Sequence, residues 1–340
     1  MTTRIAIPPA PWFDDLEVGA VLDDAPVVTL TEGIAAVHQS ILGWRLRLAL
    51  DRGLARAVTG TDALLAHPSL VCDVAIGQST GVTQRVRANL FYRGLVLQRP
   101  VAIGDALRTT TIVEALRENR RREGRPPTGL AVLHMRTVDQ EGRPVLDFRR
   151  CAMLPLRPDA PPTGRADDVD AVPEDLDAAA LRAVTAGWDL DAFRAASAHG
   201  RHAADLEPGE AIEVVGGDVV SSAPELARLG MNVAMVHHDA AGTGSGRRLV
   251  YGGHTIGIAG AQLGRALPNL VTIVGWRRCD HVGPVFEGDT LRSVVTVGER
   301  TPLDGGGALV ELHVDVEADA LEAGADPRPV LAWDLIGVMA

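Results

Sequence analysis

Apolar and polar positions alternate, or run β-branched, in two sets of four stretches. The first set is LFYRGLVL (90–97), DALRTTTIVEAL (105–116), GLAVLHMRTVDQ (129–140) and PVLDFRRCAML (144–154). The second is LVTIVGWRRC (270–279), DTLRSVVTVGER (289–300), ALVELHVDVEA (308–318) and PVLAWDLIGVMA (329–340). These patterns predict strands. Ahead of each set lies an extended opening, VVTLT (27–31) or IEVVGGDVVSS (212–222), and then a helical pattern, EGIAAVHQSIL (32–42) or APELARLGMNVAMV (223–236). A small-residue apolar helix comes next, within PSLVCDVAIGQSTGVTQRV (68–86) or GGHTIGIAGAQLGRAL (252–267). One apolar helix followed by a run of strands predicts an α+β layer, an antiparallel sheet wrapped around a helix.

The two sets share words as well as order. PVAIGDALRT (100–109) returns as PVFEGDTLRS (284–293), an offset of 184 that also lays Arg93 on Arg277 and His67-Pro68 on Tyr251-Gly252. RPVLDFRRCAM (143–153) returns as RPVLAWDLIGVM (328–339), and DDLEVGAVL (14–22) as ADLEPGEAI (204–212). Two copies at so long a period predict a duplicated domain and exclude a solenoid. The expected division is a first domain over 1–156, a linker over 157–185 and a second domain over 186–340. The Pro-, Asp- and Ala-rich segment 157–179 is expected to be partly ordered at best.

Composition narrows the partners. Of 340 residues 46% are hydrophobic, enough for two cores, and the net charge of −11 argues against nucleic acid as a general partner. Cys72, Cys151 and Cys279 have neither metal-ligand spacing nor an even count, so they read as buried apolar groups in a reducing compartment. The first residues lack an apolar signal core and no run of about 18 apolar residues occurs, so a cytoplasmic protein without a membrane partner is expected.

The helix, the Gly-rich helix start and the P-V-x-x-G-D-x-L phrase together resemble the MaoC-like hydratase/dehydratase family of the hotdog fold. Two copies resemble its double-hotdog members. AIGQST (75–80), LVYGGHTIGIA (249–259), ALPNLVTIV (266–274) and RPVLDFRRCAMLPL (143–156) are similar to the branch that includes mesaconyl-CoA hydratases. The resemblance implies water addition to, or removal from, an α,β-unsaturated acyl-CoA. It implies no cofactor or metal. In that family an Asp, and a His five residues later, hold the water. The matching stretch here is NVAMVHHD, with Asn232, His237 and Asp239, against Trp44, Ala49 and Asp51 in the first half. The resemblance therefore places one active site in the second half.

Hydrating such a double bond needs a base for water, donors for the thioester oxygen and a proton for the α-carbon. His237 is the base candidate in the motif, because imidazole titrates near neutrality. Asn232 cannot accept a proton but can orient water or imidazole, and Asp239 is a candidate for fixing the His tautomer. His238 should point elsewhere if the segment is helical. Backbone N–H groups of Gly252 and Gly253, at a helix start, are the candidate oxyanion donors, with His254 beside them as a second catalytic or a structural group. In the first half Pro68 has no N–H to offer. Tyr251, Trp44, Arg47, Arg93 and Arg277 are candidates for binding the acyl chain or CoA, as are Arg45, Arg85, Arg87 and Arg278. Trp44 also reads as simple packing, and the arginine-rich loop at 119–125 as a solvated surface.

Three other readings stay open at this stage: a dehydratase acting on a carrier-bound acyl chain, an acyl-thioester-binding protein without turnover, and a thioesterase. Duplication supplies a pair of hotdogs within one chain, so a monomer suffices for the fold; a homodimer is the commoner outcome for soluble enzymes.

Overall fold

The computed structural model describes residues 8–197, 199–240, 246–319 and 326–340. The first half opens with two short strands, β1 (Val21–Leu22) and β2 (Val28–Thr29), then helices α1 (Glu32–Leu42), α2 (Arg52–Thr59) and α3 (Pro68–Gln78). Four long strands follow: β3 (Ala88–Leu97), β4 (Ala106–Glu118), β5 (Thr128–Val138) and β6 (Pro144–Pro155). Two helices, α4 (Ala178–Ala183) and α5 (Leu190–Ala196), cross to the second half. There β7 (Ala211–Glu213), β8 (Asp218–Val219), α6 (Ala223–Leu229) and α7 (Gly252–Ala266) repeat the scheme. The last four strands are β9 (Leu270–His281), β10 (Thr290–Pro302), β11 (Ala308–Asp319) and β12 (Arg328–Met339).

All twelve strands belong to one antiparallel sheet in the order β1-β4-β5-β6-β3-β9-β12-β11-β10-β7, with β2 on β4 and β8 on β10. The halves join where β3 pairs with β9, Tyr92 opposite Cys279 and Leu95 opposite Trp276. That pairing consumes the edge each half would otherwise expose. The sheet wraps the apolar helices α3 and α7, which are buried along nearly their whole length because small and β-branched residues leave them no polar face. The helix pattern over 223–236 holds only to Leu229; Gly230 and a left-handed Met231 (φ 61°) end it.

The duplicated phrase is architectural. In each copy the glycine is left-handed, Gly104 at φ 106° and Gly288 at φ 96°. The following aspartate carboxylate accepts a backbone N–H three residues back, Ala102 onto Asp105 at 3.0 Å and Phe286 onto Asp289 at 2.9 Å. The leucine carbonyl two residues further accepts from a glutamine of the central helix. Gln78 reaches Leu107 at 2.8 Å, and Gln262 reaches Leu291 at the same distance. Both copies thus fasten helix to sheet by one device.

The linker expected to be partly ordered at best is tied down. Arg165 donates to the carbonyls of Phe13 and Leu16, and Asp167 accepts from the Leu116 N–H at 2.8 Å. Leu181, Val184, Leu190 and Phe193 are buried in a second apolar cluster with Leu54, Val58, Val271 and Ile336. The three cysteines are buried and unpaired, and burial raises each thiol above its usual range.

Two close approaches fix how the helices meet. A Cβ at Gly77 would overlap the Gly230 carbonyl, and one at Gly260 would overlap the Trp44 indole. Gly77→Ala should therefore lower stability by about 2 kcal/mol or more, since backbone cannot yield as a side chain does. Trp44→Ala should cost about 3–5 kcal/mol by leaving a cavity. Urea melts followed by circular dichroism measure both; wild-type midpoints would contradict the packing described.

Candidate active site

A cavity of about 300 Å³ lies where the halves meet. The second half supplies Asn232, Ala234, Val236, His237, Leu249, Tyr251, Gly252, Thr255 and His281 to its wall, and the first half supplies Thr80, Thr83, Arg87, Asn89 and Tyr92. Among the described residues none on the wall is acidic.

The segment carrying Asn232 and His237 is a loop closed by a single 3-10 turn, Met235–His237, rather than a helix. First-half atoms hold it. The Val233 N–H donates to Thr80 Oγ1 at 3.0 Å and the Met235 N–H to the Gln84 carbonyl at 2.8 Å. Asn232 is buried; its Oδ1 accepts from the Ala234 N–H at 2.9 Å, leaving the amide nitrogen for the cavity. His237 Nδ1 lies 2.8 Å from the Leu249 carbonyl. A carbonyl only accepts, so the proton sits on Nδ1 and the Nε2 lone pair is left for a substrate or water. Burial depresses the imidazole to about 4, outweighing the opposing pull of the Leu249 carbonyl. His237 is therefore neutral, and a competent acceptor, across the physiological range. His238 is off the cavity wall and donates from Nε2 to the Asn232 carbonyl at 2.7 Å.

Helix α7 begins at the cavity. Its N-cap, Tyr251, closes no side-chain cap, and the Gly252 and Gly253 N–H groups find no acceptor among the described residues. Gly252 lines the cavity, and the site a Cβ would take is 2.5 Å from His281 Nε2, so only glycine fits. The Tyr251 ring meets His237 edge to face at 5.8 Å. Its buried hydroxyl lies beside the Asp73 carboxylate; burial, then that carboxylate, raises the phenol well above its ordinary value. Behind it Asp73 pairs with His38 at 3.0 Å, both buried.

Several candidates lie elsewhere. Asp239 is exposed and outside the cavity wall, and the partner that orients the His237 Nδ1 is the Leu249 carbonyl. His254 is buried within α7, also off the wall. Gly253 faces Asp73 and Tyr251. Trp44 is packing, tilted against His67 with ring centroids 3.8 Å apart and wedged on Gly260. Arg47 donates to the Ala196 carbonyl at 3.3 Å, far from the cavity. Arg93 is spent on Glu174 and Asp280, at 2.9 and 2.7 Å, and Arg277 on Glu311 at 2.9 Å. Arg85 donates to the Ala10 carbonyl, and Arg278 pairs with Asp334. Of the arginines named from sequence only Arg87 reaches the wall, at an exposed position.

The pattern of the sequence did not single out Thr80, Thr83, Asn89, Tyr92, His281 or the buried Arg150. The guanidinium of Arg150 donates to Thr83 Oγ1 at 2.9 Å, to Asn89 Oδ1 at 3.3 Å and to the Ser79 carbonyl at the end of α3, also at 3.3 Å. It makes no ion pair with a described carboxylate, so the negative end of α3 is its main compensation. The usable signal for His281 was position: it lies three residues before Pro284, where the duplicated phrase begins.

The first half keeps the outline of a second site. Leu65, Ala66, Pro68, Val71, Leu97, Pro100 and Val101 stand 184 positions before Leu249, Val250, Gly252, Thr255, His281, Pro284 and Val285, and they line a remnant of about 30 Å³. Val184 and Trp188, from the crossing segment, line the same remnant.

No family model matches the chain. Among curated proteins it is 30% identical over 353 residues to β-methylmalyl-CoA dehydratase of Chloroflexus aurantiacus, covering 97% of each chain. It is 29% identical over 290 residues to mesaconyl-CoA hydratase of Cereibacter sphaeroides, covering 83% of this chain and 81% of the relative. Among solved structures, a conserved double-hotdog protein of Mycobacterium tuberculosis is 49% identical with a TM-score of 0.88, over 97% of this chain and 99% of that one. A protein assigned to the MaoC-domain dehydratases of Chloroflexus aurantiacus aligns with a TM-score of 0.84 at 26% identity, over 97% of each. Fold, duplication and end-to-end similarity agree: the chain belongs to the MaoC-like double-hotdog family that includes β-methylmalyl-CoA dehydratase and mesaconyl-CoA hydratase.

Proposed function

We propose that the chain adds water reversibly to an α,β-unsaturated acyl-CoA, with a short branched dicarboxylic acyl group of the mesaconyl type. The observation that carries this is the convergence of the His237 imidazole and the Gly252 amide on one cavity. His237 Nε2 removes a proton from water as its oxygen bonds to the β-carbon. The electron pair of the double bond shifts through the α-carbon onto the thioester oxygen. The Gly252 N–H at the positive end of α7 stabilises that charge. Collapse of the enolate returns the pair to the α-carbon, which takes the proton from His237. Asn232 holds the water through its amide, a role that needs no change of protonation.

The dicarboxylic preference is supported by the relatives' names and by the charges around the cavity. Its wall has no carboxylate, Arg87 stands on it, and Arg150 lies behind Thr83 and Asn89. A buried guanidinium biases such a space toward an anionic guest.

The test is loss of enoyl-thioester absorbance on mixing purified protein with mesaconyl-CoA and with crotonyl-CoA. Turnover is expected for both, with kcat/KM at least about tenfold higher for the dicarboxylic substrate. His237→Ala should lower kcat by about 10²–10⁴-fold while leaving substrate binding near wild type. Binding without turnover in the wild type would establish a thioester-binding protein instead, and release of free thiol would establish a thioesterase. The pH profile has a definite sign. A base held near 4 is already deprotonated at pH 6, so kcat/KM should stay level from about pH 8 to 5 and fall below that. A fall centred near 6.5 would mean that His237 is not buried as described.

A further inference from the structure

Resting on that reading, the geometry points to His281 as a second catalytic group, a neutral hydrogen-bond donor to the thioester oxygen. His281 ends β9 and lines the cavity. Its Nε2 is buried, has no hydrogen-bond partner among the described residues and abuts Gly252, at the N-terminus of α7. A buried polar atom left unpaired is costly unless a ligand completes it. This nitrogen stands 2.5 Å from the position a Gly252 Cβ would take, and we place the thioester oxygen between it and the Gly252 N–H. Burial depresses the imidazole to about 4, with the Asp280 carboxylate opposing and His237 assisting, so the ring is neutral and no cation competes with the substrate for the helix terminus. Tyr92 packs against the ring edge to face at 5.8 Å and holds its plane.

The chain contains its own control. In the remnant site, the position 184 before His281 is Leu97, and the other reacting groups have been replaced alongside it. Gly252 corresponds to Pro68, which lacks the N–H. In the aligned loop, Asn232 corresponds to Trp44 and His237 to Ala49. His281 thus differs between the halves together with the catalytic set, whereas the purely architectural Gly, Asp and Leu of the duplicated phrase occur in both copies. A structural histidine would have had no reason to follow the first group.

With the proton on Nε2, His281 donates to the oxygen while the double-bond electrons move onto it, and keeps its proton throughout. His237 performs all proton transfer. This division predicts different behaviour for a substitute that retains an N–H. His281→Gln preserves a donor; His281→Leu and His281→Phe preserve bulk without one. Each is assayed for hydration of mesaconyl-CoA and crotonyl-CoA, with folding checked by circular dichroism. Leu and Phe should lower kcat by about 10²–10³-fold with KM within about threefold, and Gln should stay within about tenfold of wild type. In a His237→Ala background, bound mesaconyl-CoA should show a red-shifted enoyl-thioester absorbance. That shift should persist with Gln at 281 and vanish with Leu or Phe.

Leu and Phe variants that fold and keep kcat within twofold would overturn the proposal. So would a Gln variant as inactive as Leu, which would make His281 a proton-transfer group, or a red shift indifferent to the substitution. If wild type turns over neither thioester, the hydratase reading falls, and the spectral shift of the bound thioester still decides whether His281 polarises the carbonyl. Absence of any binding would remove both.

Discussion

The antiparallel pairing of β3 with β9 is the constraint on which everything else depends. Each hotdog half alone would end in an open strand edge beside a half-built cleft. Joined through these strands, the halves set α3 and α7 side by side within one sheet. The cavity takes its walls from both. Thr80 of the first half even carries the backbone of the loop that presents Asn232 and His237. The loop of one half is thus held in place by atoms of the other.

The two copies show which features the fold needs and which the reaction needs. The left-handed glycine, the aspartate that closes its turn and the glutamine-to-leucine bond recur in both, since each fastens helix to sheet. Asn232, His237, Gly252 and His281 occur once. Their counterparts are a tryptophan, an alanine, a proline and a leucine, residues that fill space or withhold hydrogen bonds. Trp188 and Val184 of the crossing segment complete the filling.

Much of this was legible in the sequence because the strands alternate and the duplicated phrase fixes register. All eight long strands, α1 and the two central helices lie where the patterns put them. His237 and Gly252 were legible from their place in the repeat. Asp239 and the arginines were not, for a physical reason. A charged side chain announces itself by type, but its use is decided by neighbours distant in sequence: Glu174 claims Arg93 and Glu311 claims Arg277. His281 was hidden by the opposite effect. On a strand of mixed burial a single histidine looks like any other alternate position, and only the fold brings Gly252 against it. The linker misled because Pro, Asp and Ala suggest a free coil, whereas its sparse leucines and valines are enough to dock it.

The remnant site also bears on symmetry. A pair of identical hotdogs has two equivalent clefts, and any change to a residue in one is imposed on the other. Two copies written separately in one chain are free of that coupling. Thr83, Asn89 and Tyr92 line the larger cavity with no twin position to satisfy, while Val184 and Trp188 occupy the other cleft. An asymmetric wall of this kind can be shaped to a single guest.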